Sequence, residues 1–200
     1  VQNPHQTTVY AYVDFFTSTG AVPGPQAYPI PAFSRVTFKV NDFVTDYNVS
    51  TAVAASDDVI CERAVYGNNR AWAHDSIGVA KPSINWYMAE GSTDGGMETF
   101  VLVQNPNGVT ATIYLDFTVG TGYVPGPQAY PIPAFSRVTF KVNDYVADYN
   151  VASRVTSDLP VICERSVYGN GRAWAHDSIG TPSTEYVWNL AEGSTDGGME

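Results

Sequence analysis

The chain repeats itself at an offset of 102 residues, and this repeat constrains the fold more than any other feature of the sequence. When residues 1–98 are placed on residues 103–200, 66 of the 98 paired positions are identical and no gap is needed. A duplicated unit of this length has the size of a domain, whereas solenoid repeats span roughly 20–50 residues. The repeat therefore predicts two tandem domains of one fold.

Each unit consists of short strand-like segments separated by turn signals. Residues 109–118 place apolar side chains on one face and polar ones on the other, and Asn107-Gly108 before them is a strong hairpin signal. About seven such segments per unit, without convincing helical periodicity, predict an all-β fold of two tandem antiparallel β-sandwich domains, immunoglobulin-like in size. The other expected strands of the complete unit lie at residues 86–89, 98–104, 137–143, 149–156, 161–168 and 172–176.

A proline-rich stretch occurs at residues 23–31 and again, unchanged, at residues 125–133. Proline removes a ladder donor, so an extended connector is expected here and a central strand is not. Two interpretations remain open: an apolar surface that docks a neighbour, or a crossover packed over its own sandwich. The candidate docking residues in the first copy are Pro23, Pro25, Tyr28, Pro29, Ile30 and Pro31.

The repeat also predicts the domain boundaries. If one unit is counted from Trp86, residues 1–85 form a first sandwich without its first strand and residues 86–186 form a complete one. Residues 187–200 are then a spare copy of the segment that opens the complete unit, and both chain ends look like cuts through a repeating unit. A sandwich without that strand exposes a sheet edge to which another chain can pair.

The spare segment predicts an assembly contact, because a strand added to an open edge binds through main-chain hydrogen bonds and side-chain pockets. We expect residues 187–200 to complete the first domain of the next copy, either by donation between chains or within one continuous repeating chain. The expected interface consists of Val187, Trp188, Leu190, Ala191, Glu192 and Met199 on one side and Val1, Gln2, Asn3 and Pro4 on the other.

Composition limits the possible partners. The net charge is -10, with 20 acidic and 10 basic residues, which argues against nucleic acid and anionic membranes. No apolar run reaches the roughly 18 residues of a membrane span. The richness in Tyr, Gly and Pro, with few lysines, is typical of secreted β proteins, so an extracellular or cell-surface location is expected.

The sequence contains no combination of residues that predicts an enzyme, a cofactor or a metal. The motif WAHDSIG occurs at residues 72–78 and 174–180, but neighbouring His and Asp side chains point to opposite faces of a strand. Cys61 and Cys163 are single in their units, so neither unit holds an internal disulfide. A bridge between the two units remains open, because it depends on a Cα separation below about 7 Å.

Two further motifs have both a chemical and a structural interpretation. The loop with Asp94, close in sequence to Glu90 and Glu98, is a candidate calcium site or an ordinary glycine turn. The pair Lys141 and Asn143, repeated at positions 39 and 41, could form an isopeptide bond. Alternation places the lysine on the solvent face, which argues against that bond.

Several longer motifs connect the chain with a family. They are WYMAEGST at residues 86–93, GGMETFVLVQNP at 95–106, PVICERSVY at 160–168 and the closing HDSIG. In this order they resemble a family of tandem β-domain repeats in secreted and surface proteins of Actinobacteria, Chloroflexi and related bacteria, although Met97 stands where that pattern has Phe. The resemblance implies an extracellular β module repeated along a chain, and it implies no catalytic residues.

The sequence thus predicts a structural subunit of an extracellular bacterial filament or surface fibre, which assembles head to tail with copies of itself. The alternative is an adhesin or carbohydrate-binding module of a longer surface protein. In that alternative Trp72, Trp86 and Tyr87 would stack on sugars, although Trp residues in small sandwiches more often belong to the core.

Overall fold

The computed structural model describes residues 1–191 and residue 193, and almost all of its regular structure is β-strand. This confirms the all-β class predicted from the sequence. The described helices are three short 3-10 turns, at Val40–Asp42, Asn68–Arg70 and Val142–Asp144. None of the helices in this part of the chain has the length and hydropathy of a membrane span.

The strands fall into two sets along the chain. The N-terminal set comprises β1 (Val9–Thr17), β2 (Gly20–Pro23), β3 (Tyr28–Ile30), β4 (Ser50–Ala55), β5 (Glu62–Gly67) and β6 (Trp72–Ile77). The C-terminal set comprises β7 (Ser83–Met88), β8 (Glu98–Asn105), β9 (Ala111–Val119), β10 (Gly122–Pro125), β11 (Tyr130–Ile132), β12 (Ser136–Lys141), β13 (Val151–Gly169) and β14 (Trp174–Ile179).

Twelve strands form one large sheet whose main path is β10-β9-β13-β8-β12-β1-β2, while β5 and β6 form a separate hairpin. The long strand β13 connects two regions of the sheet. Its first part pairs with β7 and β9, and its second part pairs with β8 and β14. The two sets meet in the ladder at one parallel pair, Thr17 with Ser136, which departs from the expected antiparallel pairing.

Alternation along the strands explains the core. In β9 the apolar residues Ala111, Ile113, Leu115 and Phe117 are fully buried, and the side chains between them point away from the core. Strand β1 follows the same pattern in the N-terminal set. Each large apolar side chain removed from water contributes about 1.5–3 kcal/mol, so these alternating faces supply much of the driving force for folding.

Several expected strand boundaries need correction. The strand expected at residues 86–89 is Ser83–Met88, and the strand expected at residues 137–143 is Ser136–Lys141. Residues 149–156 and 161–168 are not separate strands, because β13 runs through both, with a register irregularity between Thr156 and Val161. The last strand begins at Trp174 and not at residue 172, because Asn170 and Arg172 have positive φ in the preceding turn. The strand expected from residue 109 begins at Ala111.

The proline-rich connector is also more regular than expected. Its ends belong to β10 and β11, which pair with β9, and the first copy behaves likewise through β2 and β3 on β1. Prolines are tolerated here because these short strands lie at the side of the ladder, where a donor can be missing.

Candidate assembly interface

Strand β7 shows how the opening segment of a unit is held. It pairs antiparallel with β13, with Met88 opposite Ser153 and Trp86 opposite Val155. On its other side, Tyr87 exchanges two backbone hydrogen bonds with Thr181, at 2.8 and 2.9 Å. The strand is therefore bonded along both sides.

Trp86 anchors this strand in a fitted socket. Its side chain is 1% exposed, and its indole Nε1 donates to the carbonyl oxygen of Val161 at 2.8 Å and to that of Ser83 at 3.2 Å. A Cβ on Gly180 would lie 3.1 Å from the indole, so the glycine that ends WAHDSIG makes room for the ring. A structural role for that motif glycine follows from this contact.

The N-terminal set contains the corresponding edge, but no described strand covers it. Strand β4 pairs with β1, and within the described part of the chain it has no partner on its other side. The burial of repeated residues shows the consequence. Val155 and Cys163 are fully buried, whereas their copies Val53 and Cys61 are only half-buried. The edge of β4 and the apolar side chains beside it thus form an open site.

At the repeat offset the C-terminal segment aligns with β7 and shares its Trp, but it does not have the contacts of β7. At the repeat offset, Trp188 corresponds to Trp86 and Leu190 to Met88. Trp188 is 58% exposed and Leu190 is 89% exposed, and neither lies in a strand. Val187 and Ala191 are exposed as well, whereas Glu192 and Met199 lie outside the described residues.

Two acidic residues that follow β7 form ion pairs. Glu90 pairs with Arg165 on β13. Glu98 pairs with Lys141 on β12 at 2.6 Å and with Arg172 in the turn before β14 at 2.8 Å. These carboxylates connect the opening segment to three other parts of the unit. Because Glu90 and Glu98 serve as partners of basic side chains, they do not fit the calcium interpretation.

The same charges recur in the first repeat unit and in residues 187–200. The repeat copies of the three basic residues are Arg63, Lys39 and Arg70, and those of the acidic residues are Glu192 and Glu200. Lys39 is largely exposed and contacts only the neighbouring Asp42 among the described carboxylates, at 3.2 Å. By sequence, the spare segment therefore carries the acidic copies and the first unit carries the basic copies of these ion-pairing residues.

Hydrogen bonds from Arg172 and then Lys141 hold the pKa of Glu98 below its ordinary value of 4.5. A carboxylate with a lowered pKa contributes stability above its ordinary pKa, and this contribution is lost as the pH falls through the folded pKa. We expect Glu98→Gln to lower the free energy of unfolding at pH 7 by about 1 kcal/mol and to flatten its decline below pH 4.5. Urea unfolding from pH 7 to 3 measures this, with exposed Glu62→Gln as the control. Parallel pH profiles for Glu98→Gln and the unsubstituted protein would contradict it.

The first residues of the chain pair within their own unit as the end of β8 does in the other unit. Gln2 bridges to Arg35 and Ile60. Asn3 is fully buried, and its Nδ2 donates to the carbonyl oxygens of Thr7, Ile30 and Pro31, as Asn105 does at the equivalent sites. Asn3 thus anchors its own loops, while Val1 is half-buried and Pro4 is exposed.

The proposed docking connector lies against its own unit. Ile30 is fully buried, and Tyr28 packs edge-on against Phe38 with ring centroids 5.1 Å apart. Pro23, Pro29 and Pro31 are exposed and Pro25 is half-buried. Ile30 therefore packs against its own unit, and the exposed prolines lie on the surface.

A polar cluster between the two sets was not predicted from the sequence. Arg63 on β5 forms ion pairs with Glu164, at 2.5 Å, and with Asp177, at 2.6 Å, although the second contact is not aligned as a hydrogen bond. His74 on β6 lies 3.2 Å from the hydroxyl of Tyr168. The residues of this polar cluster come from both copies of the repeat, so the spacing of residues within one unit could not have revealed the cluster.

Burial dominates the electrostatics of this cluster. It raises the pKa of Glu164, against the opposing effect of Arg63. Burial and the nearby Arg63 guanidinium lower the pKa of His74. Both shifts favour the neutral forms of these two side chains.

The remaining chemical motifs have structural partners. Lys141 pairs with Glu98, and the amide of Asn143 donates to the carbonyl oxygen of Met97 at 2.9 Å. Cys61 and Cys163 are free thiols. Among the described residues, no group of three or more His, Cys, Asp or Glu side chains is arranged to hold a metal ion.

No family model and no curated protein sequence matches this chain. Two solved structures are similar to parts of it. The crystal structure of Thermotoga maritima 1070 is 15% identical, covers 50% of this chain and 94% of its own, and has a TM-score of 0.45. The Anabaena sensory rhodopsin transducer is 19% identical, covers 44% of this chain and 91% of its own, and has a TM-score of 0.36. At these scores neither structure bears on the function of this chain.

Proposed function

We propose that this protein is a structural subunit of an extracellular filament or surface fibre. In this proposal residues 1–85 and 86–186 are two tandem immunoglobulin-like sandwiches, and residues 187–200 of one copy complete the first sandwich of the next. The observation that carries the proposal is the uncovered edge of β4, together with an exposed segment that repeats the strand occupying the equivalent edge of β13.

The repeat offset specifies the register of the added strand. Leu190 comes opposite Thr51 and Trp188 comes opposite Val53, as Met88 and Trp86 lie opposite Ser153 and Val155. The indole of Trp188 then donates to the carbonyl oxygen of Val59, the copy of Val161. This pairing is antiparallel and places Trp188 and Leu190 toward the half-buried side chains of the first unit.

Several interactions would contribute to the affinity of this contact. Burial of Trp188 and Leu190 contributes roughly 1.5–3 kcal/mol each, and the ladder hydrogen bonds add to this. Glu192 and Glu200 supply partners for Arg63, Lys39 and Arg70. Such a contact joins two different surfaces, so it leaves a free donor and a free acceptor after each addition and propagates into a filament.

Deletion of the donor segment tests the proposal. We expect the intact chain to form filaments in electron micrographs and large species in light scattering, and a chain that ends at Tyr186 to remain a single subunit with unchanged secondary structure. Circular dichroism of both chains provides the control for folding. Monodisperse monomers of the intact chain at high concentration, or filaments of the shortened chain, would contradict the proposal.

The carbohydrate-binding alternative has less support. Trp86 is 1% exposed and occupied by its socket, and Trp72 packs edge-on against Tyr168 with ring centroids 5.1 Å apart. Two of the three aromatic side chains considered for sugar stacking are therefore engaged within the protein. A glycan array with the intact chain tests this alternative, and specific binding that survives deletion of residues 187–200 would favour it.

A further inference from the structure

The two copies of WAHDSIG bury opposite faces of the strand. In β6 the side chains of His74 and Ser76 are buried and Asp75 is exposed. In β14 the side chain of Asp177 is fully buried, whereas that of His176 is 46% exposed. Identical local sequence therefore does not decide this difference, and the surroundings of the two hairpins must do so.

The surroundings differ in the partner of one arginine. Arg165, on β13, pairs with Glu90 from the segment that opens its own unit. Its copy Arg63, on β5, pairs instead with Glu164 and Asp177 of the other set. The face of the hairpin β5–β6 that carries Arg63 thus lies against the C-terminal set. The corresponding face of β13–β14, which carries Arg165, lies against its own unit.

Three features allow this hairpin to move as a body. It forms its own two-stranded sheet, separate from the other described strands. Its link to β4 contains Ser56-Asp57-Asp58, where the other copy has Asp158-Leu159-Pro160 within the continuous strand β13. Its contact with the C-terminal set consists of side chains, namely those around Arg63 and the packing of Trp72 and His74 on Tyr168.

The docked position leaves apolar area uncovered. Val65 is 38% exposed, whereas its copy Val167 is fully buried, and Cys61 is half-buried where Cys163 is fully buried. A position equivalent to that of β13–β14 would bury both residues, which favours it once the missing neighbour strand is supplied.

We propose that the hairpin β5–β6 is an intramolecular latch, which rests on the C-terminal set in the free subunit and returns to its own unit when a neighbour's residues 185–200 bind. Glu192 of the incoming segment takes Arg63 from Glu164 and Asp177. This inference rests on the proposed function, because it requires the same segment to occupy the edge of β4. The latch and the incoming segment compete for Arg63, so breaking the latch strengthens assembly.

The test uses the full chain with Trp188→Ala and Leu190→Ala. These substitutions at two exposed positions prevent the chain's own C-terminal segment from competing with an added peptide. A synthetic peptide of residues 185–200 is titrated into this chain by calorimetry. In this background Glu164→Gln with Asp177→Asn removes the partners of the latch. The matched control, Glu62→Gln with Asp75→Asn, removes the same charge from their exposed copies. We expect about tenfold tighter peptide binding for the latch variant and less than a twofold change for the control.

A second measurement does not depend on the stability of that variant. A peptide with Glu192→Gln should bind about fivefold more weakly than the natural peptide, and this difference should vanish when the protein carries Arg63→Gln. Alkylation of Cys61 should slow on peptide binding, with buried Cys163 as the internal reference.

The outcomes separate the two proposals. Absence of peptide binding overturns the proposed function and the latch with it. Binding with equal affinity for the latch variant and its control overturns the latch alone, as does a Glu192→Gln effect that is the same with and without Arg63.

Discussion

Replacement of Trp86 by Ala lowers the free energy of unfolding of the C-terminal set by about 3–5 kcal/mol. The side chain is 1% exposed, and its loss leaves a cavity between β7 and β13. It also leaves the carbonyl oxygen of Val161 without its indole donor. Because small domains are stable by only 5–15 kcal/mol in total, this single substitution removes much of the available stability.

Denaturant unfolding followed by circular dichroism measures the effect. Trp86→Phe is the matched variant, because it retains an aromatic ring but cannot donate to Val161, and its expected loss is about 1–3 kcal/mol. A loss below 1 kcal/mol for Trp86→Ala would mean that the socket does not hold β7 in the manner described.

Replacement of Trp188 by Ala should leave the stability of the isolated subunit almost unchanged and should weaken assembly. Its side chain is 58% exposed, so the free energy of unfolding of the isolated subunit should change by less than about 0.5 kcal/mol. In the proposed filament Trp188 takes in the first unit of the next copy the place that Trp86 takes in the second unit. A contact energy comparable to that of Trp86 then corresponds to a loss of about 100-fold or more in subunit affinity.

The critical concentration for assembly, measured by sedimentation, checks this prediction. Tyr186→Ala is the control, since Tyr186 is fully exposed and its copy Ile84, near the start of β7, is 48% exposed. We expect Trp188→Ala to remain unassembled at concentrations where the unsubstituted chain and Tyr186→Ala form filaments. Equal critical concentrations for all three chains would exclude Trp188 as the anchor of the contact.

These two tryptophans occupy equivalent positions of the repeat in different surroundings. They stand 102 residues apart in matching sequence, yet one is buried and one is exposed. Trp86 lies in β7, which pairs with the edge of β13. The corresponding edge of β4 is not covered by any described strand. A comparison of Trp86→Ala with Trp188→Ala therefore measures one side chain in two roles.

Much of the local structure could be predicted from the sequence. The alternation of β9 and the hairpin signal at Asn107-Gly108 identified strand and turn, because side chains in a strand point alternately to two faces. Asp158 and Pro160 are local turn signals, and they led to the prediction of two separate strands. This prediction was wrong, because β13 runs through both residues. The ladders to β7, β8 and β9 on either side outweigh these signals.

The order of amino acids is enough to identify the repeat, the β class and the correspondence of Trp188 with Trp86. Only the tertiary structure decided which face of WAHDSIG is buried in each copy and which acidic partner Arg63 takes. The physical reason is that alternation distinguishes the two faces of a strand but does not say what lies against either. That depends on which neighbouring strands are present, and in this chain the neighbours of β4 and β13 differ.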